Sequence, residues 1–530
     1  MREAFALTEQ TMIFDYIILL IYAVAMLFIA FYTKNRSKSV NDFLLAGKKG
    51  LNGWMTAFAY GTTYFSAVIF IGYAGQFGRS FGLASVWIGI GNALIGTLIA
   101  WLVLAKRTKN MTQRLGAKTM PEFFEKRYGS QKLKILSAII IFVFLIPYSA
   151  SVYSGISSLF EIVFGIPGWI VMICLAVLTS VYLFFGGYFA TALSDFIQGI
   201  IMIIGVICMI FCYMNHENIN WDISELVNNP NLSWFTFGAE NSTGLYGTTI
   251  SLLSLIFLTS FGVWALPQTI HKYYAISDKK AIHQGVIVST AFAFIIGFIA
   301  YFSGALSFFF PDILTGENGP IGDAFVIPTM LKYVIPAGLT GVIAVLILSA
   351  SMSTLSSVSL ASASVIAVDL YKGALKKDAS DKKTNTVMRI LCLIFVVISV
   401  VLAILNEKFG IAAIAYMMGI SWGTLAGCFM GPYVLGIMWK KVTKSAVYSS
   451  VISSLVLTLT LIILIGLDKN GWSASFGTVI KDGVASSPLI GSACMIFSVI
   501  ITVLVSLFTK KPDDAIIHEA FEKSFEGEIK

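Results

Sequence analysis

Hydrophobic residues run along this chain in long blocks, without the alternation or the three-to-four spacing of elements that face water on one side. Thirteen blocks are long enough to cross a bilayer as a helix, which takes about 20 residues. They fall at 13–32, 52–78, 82–105, 135–162, 167–189, 194–214, 246–270, 284–310, 333–368, 386–406, 411–439, 445–466 and 487–508. The pattern predicts an all-α polytopic membrane protein with about 13 transmembrane helices. The only basic residue ahead of the first block is Arg2, with Glu3 and Glu9 beside it and Asp15 just inside the block, and no small-residue cleavage pattern precedes the basic stretch that follows it. That block therefore reads as a retained span, not a signal peptide.

Polar residues inside the blocks are few, and their positions carry the chemistry. The ninth block contains "SASMSTLSSVSLASAS", residues 349–364, with nine hydroxyl side chains. At 100° per residue, Ala350, Ser353, Thr354 and Ser357 fall within about 100° of arc, with Ser356 about 60° from Ser353. A single serine in a membrane helix ordinarily back-bonds to a carbonyl one turn earlier and permits close packing. Clustering on one face adds a second reading, an oxygen site for a hard cation such as Na⁺, provided another helix supplies carbonyls.

Carbonyls become available only where a helix is broken, and transporters place such breaks at corresponding positions of two repeats. The second block holds "AYGTTYFSAVIFIGYAG" with Gly61, and the seventh "SFGVWALPQTIHKYY" with Gly262 and Pro267. Either alone is an ordinary kink; five blocks apart, they suggest a five-plus-five inverted repeat. The expected organisation is a single integral domain, 1–530. It comprises an extra N-terminal span (13–32), repeat one (52–214), repeat two (246–439), two C-terminal spans (445–508) and a cytoplasmic tail (509–530). Asp195, in "FFGGYFATALSDFIQG", is a candidate intramembrane carboxylate, and burying one costs about 2.5–3.5 kcal/mol on insertion scales. It stands at the start of the sixth block, where a helix N-cap at the interface is the competing reading.

Composition agrees with the blocks: 57% of residues are apolar and 12% charged, far outside the soluble range. With the N-terminus outside and the C-terminus inside, thirty of the 36 basic residues fall in interior loops. Only Arg2, Arg79, Lys332, Lys408, Lys469 and Lys481 are left outside, as the positive-inside rule requires. The net charge of +8 then reflects membrane anchoring, and nucleic-acid binding is excluded as its explanation. Lys272 reads as a cytoplasmic-end charge with no part in solute binding. The six cysteines (Cys174, Cys208, Cys212, Cys392, Cys428, Cys494) lie within blocks, as small packing residues do. No metalloprotease, phosphate-loop or zinc spacing occurs, so no enzyme activity is expected.

At these residues the chain resembles the sodium:solute symporter family, which includes the proline, pantothenate, sialic acid and sodium/glucose symporters and has the LeuT-type inverted-repeat fold. The likeness runs from "NDFLLAGKKGLNGW" through "FFGGYFATALSDFIQG" and "SASMSTLSS" to "GPYVLGIMWKKVTKSA". It implies a first sodium site from the Thr62, Phe65 and Ala350 carbonyls with the Ser353 and Thr354 hydroxyls. It also implies a candidate second site at Asp195, Ser353, Ser356 and Ser357, so that one or two Na⁺ move per cycle. Tyr64 stands where the proline symporters carry an aspartate, and Gly89 is the approximate counterpart of the glutamate of sugar-transporting members. By contrast "TTYFSAVIFIG", "ALPQTIHKYYAISDKKAIHQG" and "FVIPTMLKYVIPAGLTG" resemble the pantothenate and monocarboxylate branch.

The expected function is electrogenic, sodium-coupled import of a small organic solute across the plasma membrane by alternating access. An organic anion such as a monocarboxylate or pantothenate-like acid is the leading solute, and a neutral or zwitterionic one (amino acid, sugar, sialic acid) the alternative. A channel or transporter-like sensor is the reading from a different class. Candidate solute contacts are Tyr64, Ser66, Gln76, Trp87, Trp264 and Gln268, with membrane-interface packing as the ordinary role for the aromatic ones. The partners expected are the solute and the lipid bilayer; oligomeric state is left open.

Overall fold

The computed structural model describes residues 2–34, 39–45, 51–229, 232–235, 249–316, 319–336, 338–410, 414–468, 483–522 and 528–529. Arg36, Lys38, Lys48, Lys49, Lys469, Lys481, Lys523 and Lys530 of the charge pattern, and the first residues of the seventh and eleventh blocks, lie outside the described residues. Among the described residues the chain is almost entirely helical. A two-residue antiparallel pair, Thr315–Gly316 with Gly319–Pro320, is the sheet it contains.

The principal helices are α1 (Arg2–Thr33), α2 (Gly53–Tyr64), α3 (Val68–Leu115), α4 (Gln131–Phe164), α5 (Gly168–Met214), α6 (Thr249–Gly262) and α7 (Pro267–Tyr274). After them come α8 (Lys279–Ala305), α9 (Thr340–Ser364), α10 (Asp381–Phe409), α11 (Ile414–Phe429), α12 (Lys444–Asp468) and α13 (Gly483–Phe508). Among the described residues eleven helical stretches are long and apolar enough to cross a membrane, α6 and α7 together making one of them. Two of them, α3 and α5, turn at a positive-φ glycine, Gly82 (φ 54°) and Gly187 (φ 60°), a conformation open to glycine because it lacks a Cβ. Each covers parts of two apolar blocks.

Side-chain caps mark several helix starts. Asn52 Oδ1 accepts from Met55 N at 2.8 Å, and Ser130, Asp278 and Ser380 cap α4, α8 and α10 in the same way. Apolar side chains of α1 such as Phe14, Leu20, Ile21 and Phe28 remain exposed, the lipid-facing surface of a span at the rim. The hydroxyl-rich α9 is the opposite case, with nearly every residue buried. It packs against α1, α2, α4, α5, α7 and α10, and so forms the axis of the bundle.

Both expected helix breaks are present. Helix α2 stops at Tyr64, Phe65 is extended (φ −89°, ψ 99°), and helix resumes two residues on. Helix α6 stops at Gly262, a turn bonds Trp264 N to Phe261 O and Ala265 N to Gly262 O, and Pro267 begins α7. Proline at a first helical position costs no hydrogen bond, since that N–H has no partner in the helix.

One end of the bundle gathers basic segments distant in sequence. Lys109 Nζ donates to Tyr274 O at 2.8 Å, Arg127 donates to the Gly436, Trp439 and Lys440 carbonyls, and Lys440 pairs with Glu522. At the opposite end Arg79 donates to Ile321 O and Asp15 accepts from Gly341 N.

Helix α8 crosses α2 and α3 at backbone contact. A Cβ on Gly304 would lie 1.8 Å from the Ala74 carbonyl oxygen, and one on Gly89 would lie 2.4 Å from the Gly297 carbonyl carbon. Small residues at such crossings let helices pack without a hydrophobic driving force between them. Gly304→Val is therefore expected to lower the thermal midpoint in detergent by several degrees or to leave no folded protein. Gly322→Ala, whose Cβ would meet only ordinary contacts at 3.6 Å, is expected to match the parent in the same scan.

Candidate ion and solute site

A helix that ends inside a bilayer leaves its last carbonyls without partners along the chain. At the end of α2 these include the carbonyls of Thr62 and Thr63, and the hydroxyl face of α9 meets them. Ser353 Oγ donates to Thr62 O at 3.1 Å and lies 3.0 Å from Ala350 O. Thr354 Oγ1 donates to Thr63 O at 3.1 Å and lies 3.5 Å from Thr62 O. All of these residues are fully buried. Oxygens about 3 Å apart suit a hard cation, which takes ligands at about 2.3–2.6 Å. Every donor here is a neutral oxygen, the set expected for Na⁺. Four of the five expected first-site residues thus converge. Among the described residues no α9 hydroxyl bonds to the Phe65 carbonyl; the Phe65 ring packs between Tyr64 and Phe292.

Not every serine of α9 shares this role. Ser351 and Ser364 donate to the Ile347 and Ala361 carbonyls at 2.7 Å, and Ser356 to Ser353 O at 3.0 Å. These are local back-bonds within the helix.

The candidate second site contains a side chain that the sequence reading placed elsewhere. Lys272 is a buried residue of α7 and not a cytoplasmic-end charge, with only 1% of its side chain exposed. Its Nζ donates to Ser357 Oγ at 2.9 Å and lies 3.4 Å from Asp195 Oδ2. Nor is Asp195 a helix N-cap. The helix of α5 restarts after Gly187, so Asp195 lies well inside it, fully buried, with Oδ1 free of a hydrogen bond. A cap needs a helix start, and that start lies a full two turns earlier.

Of the six candidate solute contacts, Gln76 lines a cavity of about 400 Å³ near the end opposite the basic one. Gly72, Ser154, Glu161, Asp323 and Glu407 also line it, and Ser157 Oγ donates to Glu407 at 3.1 Å. Tyr64 does not reach it; its buried hydroxyl lies 2.5 Å from Thr97 Oγ1 and 3.4 Å from Asn92 O. Trp87 and Trp264 are likewise committed elsewhere, donating from Nε1 at 3.0 Å to Trp234 O and Ile95 O. Ser66 accepts from Val68 N and shapes the break. Gln268 is buried at the start of α7 with neither amide atom hydrogen-bonded. At the basic end, the space between α7 and α9 shrinks to about 10 Å³, bounded by Thr119, His271, Tyr274 and Ser364 among others.

Sequence reasoning missed Tyr148, whose buried hydroxyl sits against Ser66 and Thr354, and the three carboxylates of the cavity. A signal for Tyr148 existed in "PYSASVYSGISS", residues 147–158, a second hydroxyl-rich run in a membrane block.

Residues 43–453 match the family model of the sodium:solute symporter family, and the chain belongs to that family. It is a sodium-coupled solute symporter, a multi-pass protein of the plasma membrane, and not an enzyme. It is 28% identical over 505 residues to the osmoregulated proline transporter OpuE of Bacillus subtilis, covering 93% of this chain and 95% of that protein. It is 26% identical over 522 residues to sodium/proline symporter 2 of Staphylococcus saprophyticus, covering 95% and 94%. Its backbone matches the substrate-bound outward-open structure of a Na⁺-coupled sialic acid symporter with a TM-score of 0.76, at 18% identity, over 94% of this chain and 98% of that one. The fold is LeuT-type.

The geometry of α9 separates candidate ion ligands, bonded to the α2 carbonyls, from packing serines. Ser353→Ala and Thr354→Ala are each expected to weaken sodium-specific thermal stabilisation, NaCl against equal KCl, by at least tenfold in sodium concentration. Ser362→Ala, whose buried hydroxyl makes no hydrogen bond, is expected to leave it unchanged.

Proposed function

We propose that this chain imports a small solute bearing an amine, a zwitterion or a cation, driven by one sodium ion held between α2 and α9. The observation that carries the solute class is the cavity. Glu161, Asp323 and Glu407 line it, and among the described lining residues none is basic. An acidic vestibule with low-dielectric walls concentrates cations and repels anions, so it works against a free organic anion and suits both Na⁺ and an amine. The likeness to proline transporters supports a zwitterion. In this reading Gln76 and the unsatisfied amide of Gln268 are the polar contacts nearest the solute path.

Energetics favour the same pairing. At about 100 mV an entering Na⁺ supplies about 2.3 kcal/mol, and a tenfold sodium gradient adds about 1.4. One ion with a neutral zwitterion therefore sustains roughly a 500-fold solute gradient. One ion with a monoanion moves no net charge and sustains only about tenfold.

The cycle follows from the layout, with the N-terminus outside, the basic end facing the cytoplasm and repeats at 52–214 and 246–439. Sodium draws the Thr62, Phe65 and Ala350 carbonyls and the Ser353 and Thr354 hydroxyls together, joining broken span to axis. That favours the state with a wide outer cavity and a closed inner end, to which solute binds. Rocking of one repeat against the other then opens the inner end.

The test is sodium-gradient uptake in proteoliposomes with labelled proline, glycine betaine, lactate, pantothenate and glucose. An amine-bearing or zwitterionic compound is expected to accumulate, and Glu407→Gln to raise its KM about tenfold by weakening the acidic field. Accumulation of lactate or pantothenate instead, with KM lowered by Glu407→Gln, would overturn the proposed solute class.

A further inference from the structure

Asp195 and Lys272 meet where neither has solvent, with side chains 0% and 1% exposed and a closest approach of 3.4 Å. The remaining surroundings of the ammonium also fit a cation. It donates to Ser357 Oγ at 2.9 Å and lies 5.1 Å from the centre of the Tyr188 ring, over its electron-rich face. Ser357 Oγ is in turn 3.2 Å from Thr63 Oγ1, on the residue whose carbonyl Thr354 engages. The ammonium therefore sits beside the candidate sodium site and shares its helices.

The four residues expected to hold a second sodium are Asp195, Ser353, Ser356 and Ser357. The ammonium engages Ser357 Oγ and Asp195 Oδ2. Ser353 turns to the Thr62 and Ala350 carbonyls, and Ser356 to the Ser353 carbonyl. A second mobile cation at this place would lie within a few ångströms of a fixed positive charge, with no water to screen the pair. Without the lysine, Asp195 would be a buried carboxylate lacking a counter-ion, and a cation would be needed there.

We propose that Lys272 is a tethered cation in the second ion position, a residue that sets the coupling stoichiometry at one sodium per solute. This rests on the sodium reading of the α2–α9 site given above. The lysine supplies Asp195 with a tethered counter-ion at Oδ2, so the chain keeps the geometry of a two-ion site while spending one ion's worth of driving force. It also ties α7, just after the second helix break, to α5 and α9, so any opening of the basic end has to carry this ion pair along or part it.

The experiment is equilibrium binding of radioactive sodium to the purified full-length protein in detergent, counted per chain. The parent protein is expected to bind one ion with a Hill slope near 1, and so is Asp195→Asn, since its carboxylate ligates no sodium. Lys272→Met is expected to bind two, with the slope rising towards 2; adding Asp195→Asn to it is expected to return the count to one. Two ions on the parent, a loss of one ion in Asp195→Asn, or a count of one in folded Lys272→Met would each overturn the proposal. Should Lys272→Met fail to fold, the parent and Asp195→Asn counts still decide it. A count of zero on the parent would instead overturn the sodium reading on which it rests.

Discussion

The carbonyls at the end of α2 govern this molecule. In hydrocarbon every backbone oxygen needs a partner, and a helix that stops half-way across strands several of them. Here the partners are the Ser353 and Thr354 hydroxyls of α9, at 3.1 Å from Thr62 O and Thr63 O. Much else follows. The hydroxyl face has to lie deep in the bundle, which makes α9 its axis. The helices around it have to approach closely, which puts glycine at the crossings of α8 with α2 and α3. Those oxygens are also the ligands a hard monovalent cation seeks, so in the proposed cycle the device that makes the break tolerable also couples sodium to it.

Two ways of handling charge in a low-dielectric interior stand side by side around α9. Neutral oxygens from two helices can take up a mobile ion and release it, because neither helix is left with a net charge when the ion departs. A buried carboxylate lacks that freedom, and Asp195 instead has the Lys272 ammonium beside it. The first arrangement suits a cargo and the second suits a fixture. Above both, the carboxylates of Glu161, Asp323 and Glu407 face a cavity, where access to water lowers the cost of holding negative charge.

What the sequence made legible is what depends on neighbours along the chain. Block length gave the spans, helical spacing gave the shared face of Ser353 and Thr354, and Gly61 and Pro267 flagged breaks that fall at 65–66 and 263–266. What stayed hidden depends on distant docking. Lys272 follows an apolar block by two residues and looks like an interfacial charge; its burial is fixed by Asp195 and Ser357, 77 and 85 positions away. Trp87 and Trp264 looked like solute contacts, but their indole N–H groups are taken by the Trp234 and Ile95 carbonyls, 147 and 169 positions away. The acidity of the cavity was equally hidden, because Glu161, Asp323 and Glu407 come from three segments far apart in sequence, two at span ends and Asp323 in the loop between α8 and α9.

In the proposed cycle a sodium ion joins the broken end of α2 to the hydroxyl face of α9. The most direct measurement is a high-resolution electron-microscopy map of the full-length protein in sodium, set against one in potassium. A density peak is expected in sodium alone, bounded by the Thr62 and Ala350 carbonyls and the Ser353 and Thr354 hydroxyls. Identical maps, with both hydroxyls still bonded to the α2 carbonyls and no peak between them, would contradict that cycle.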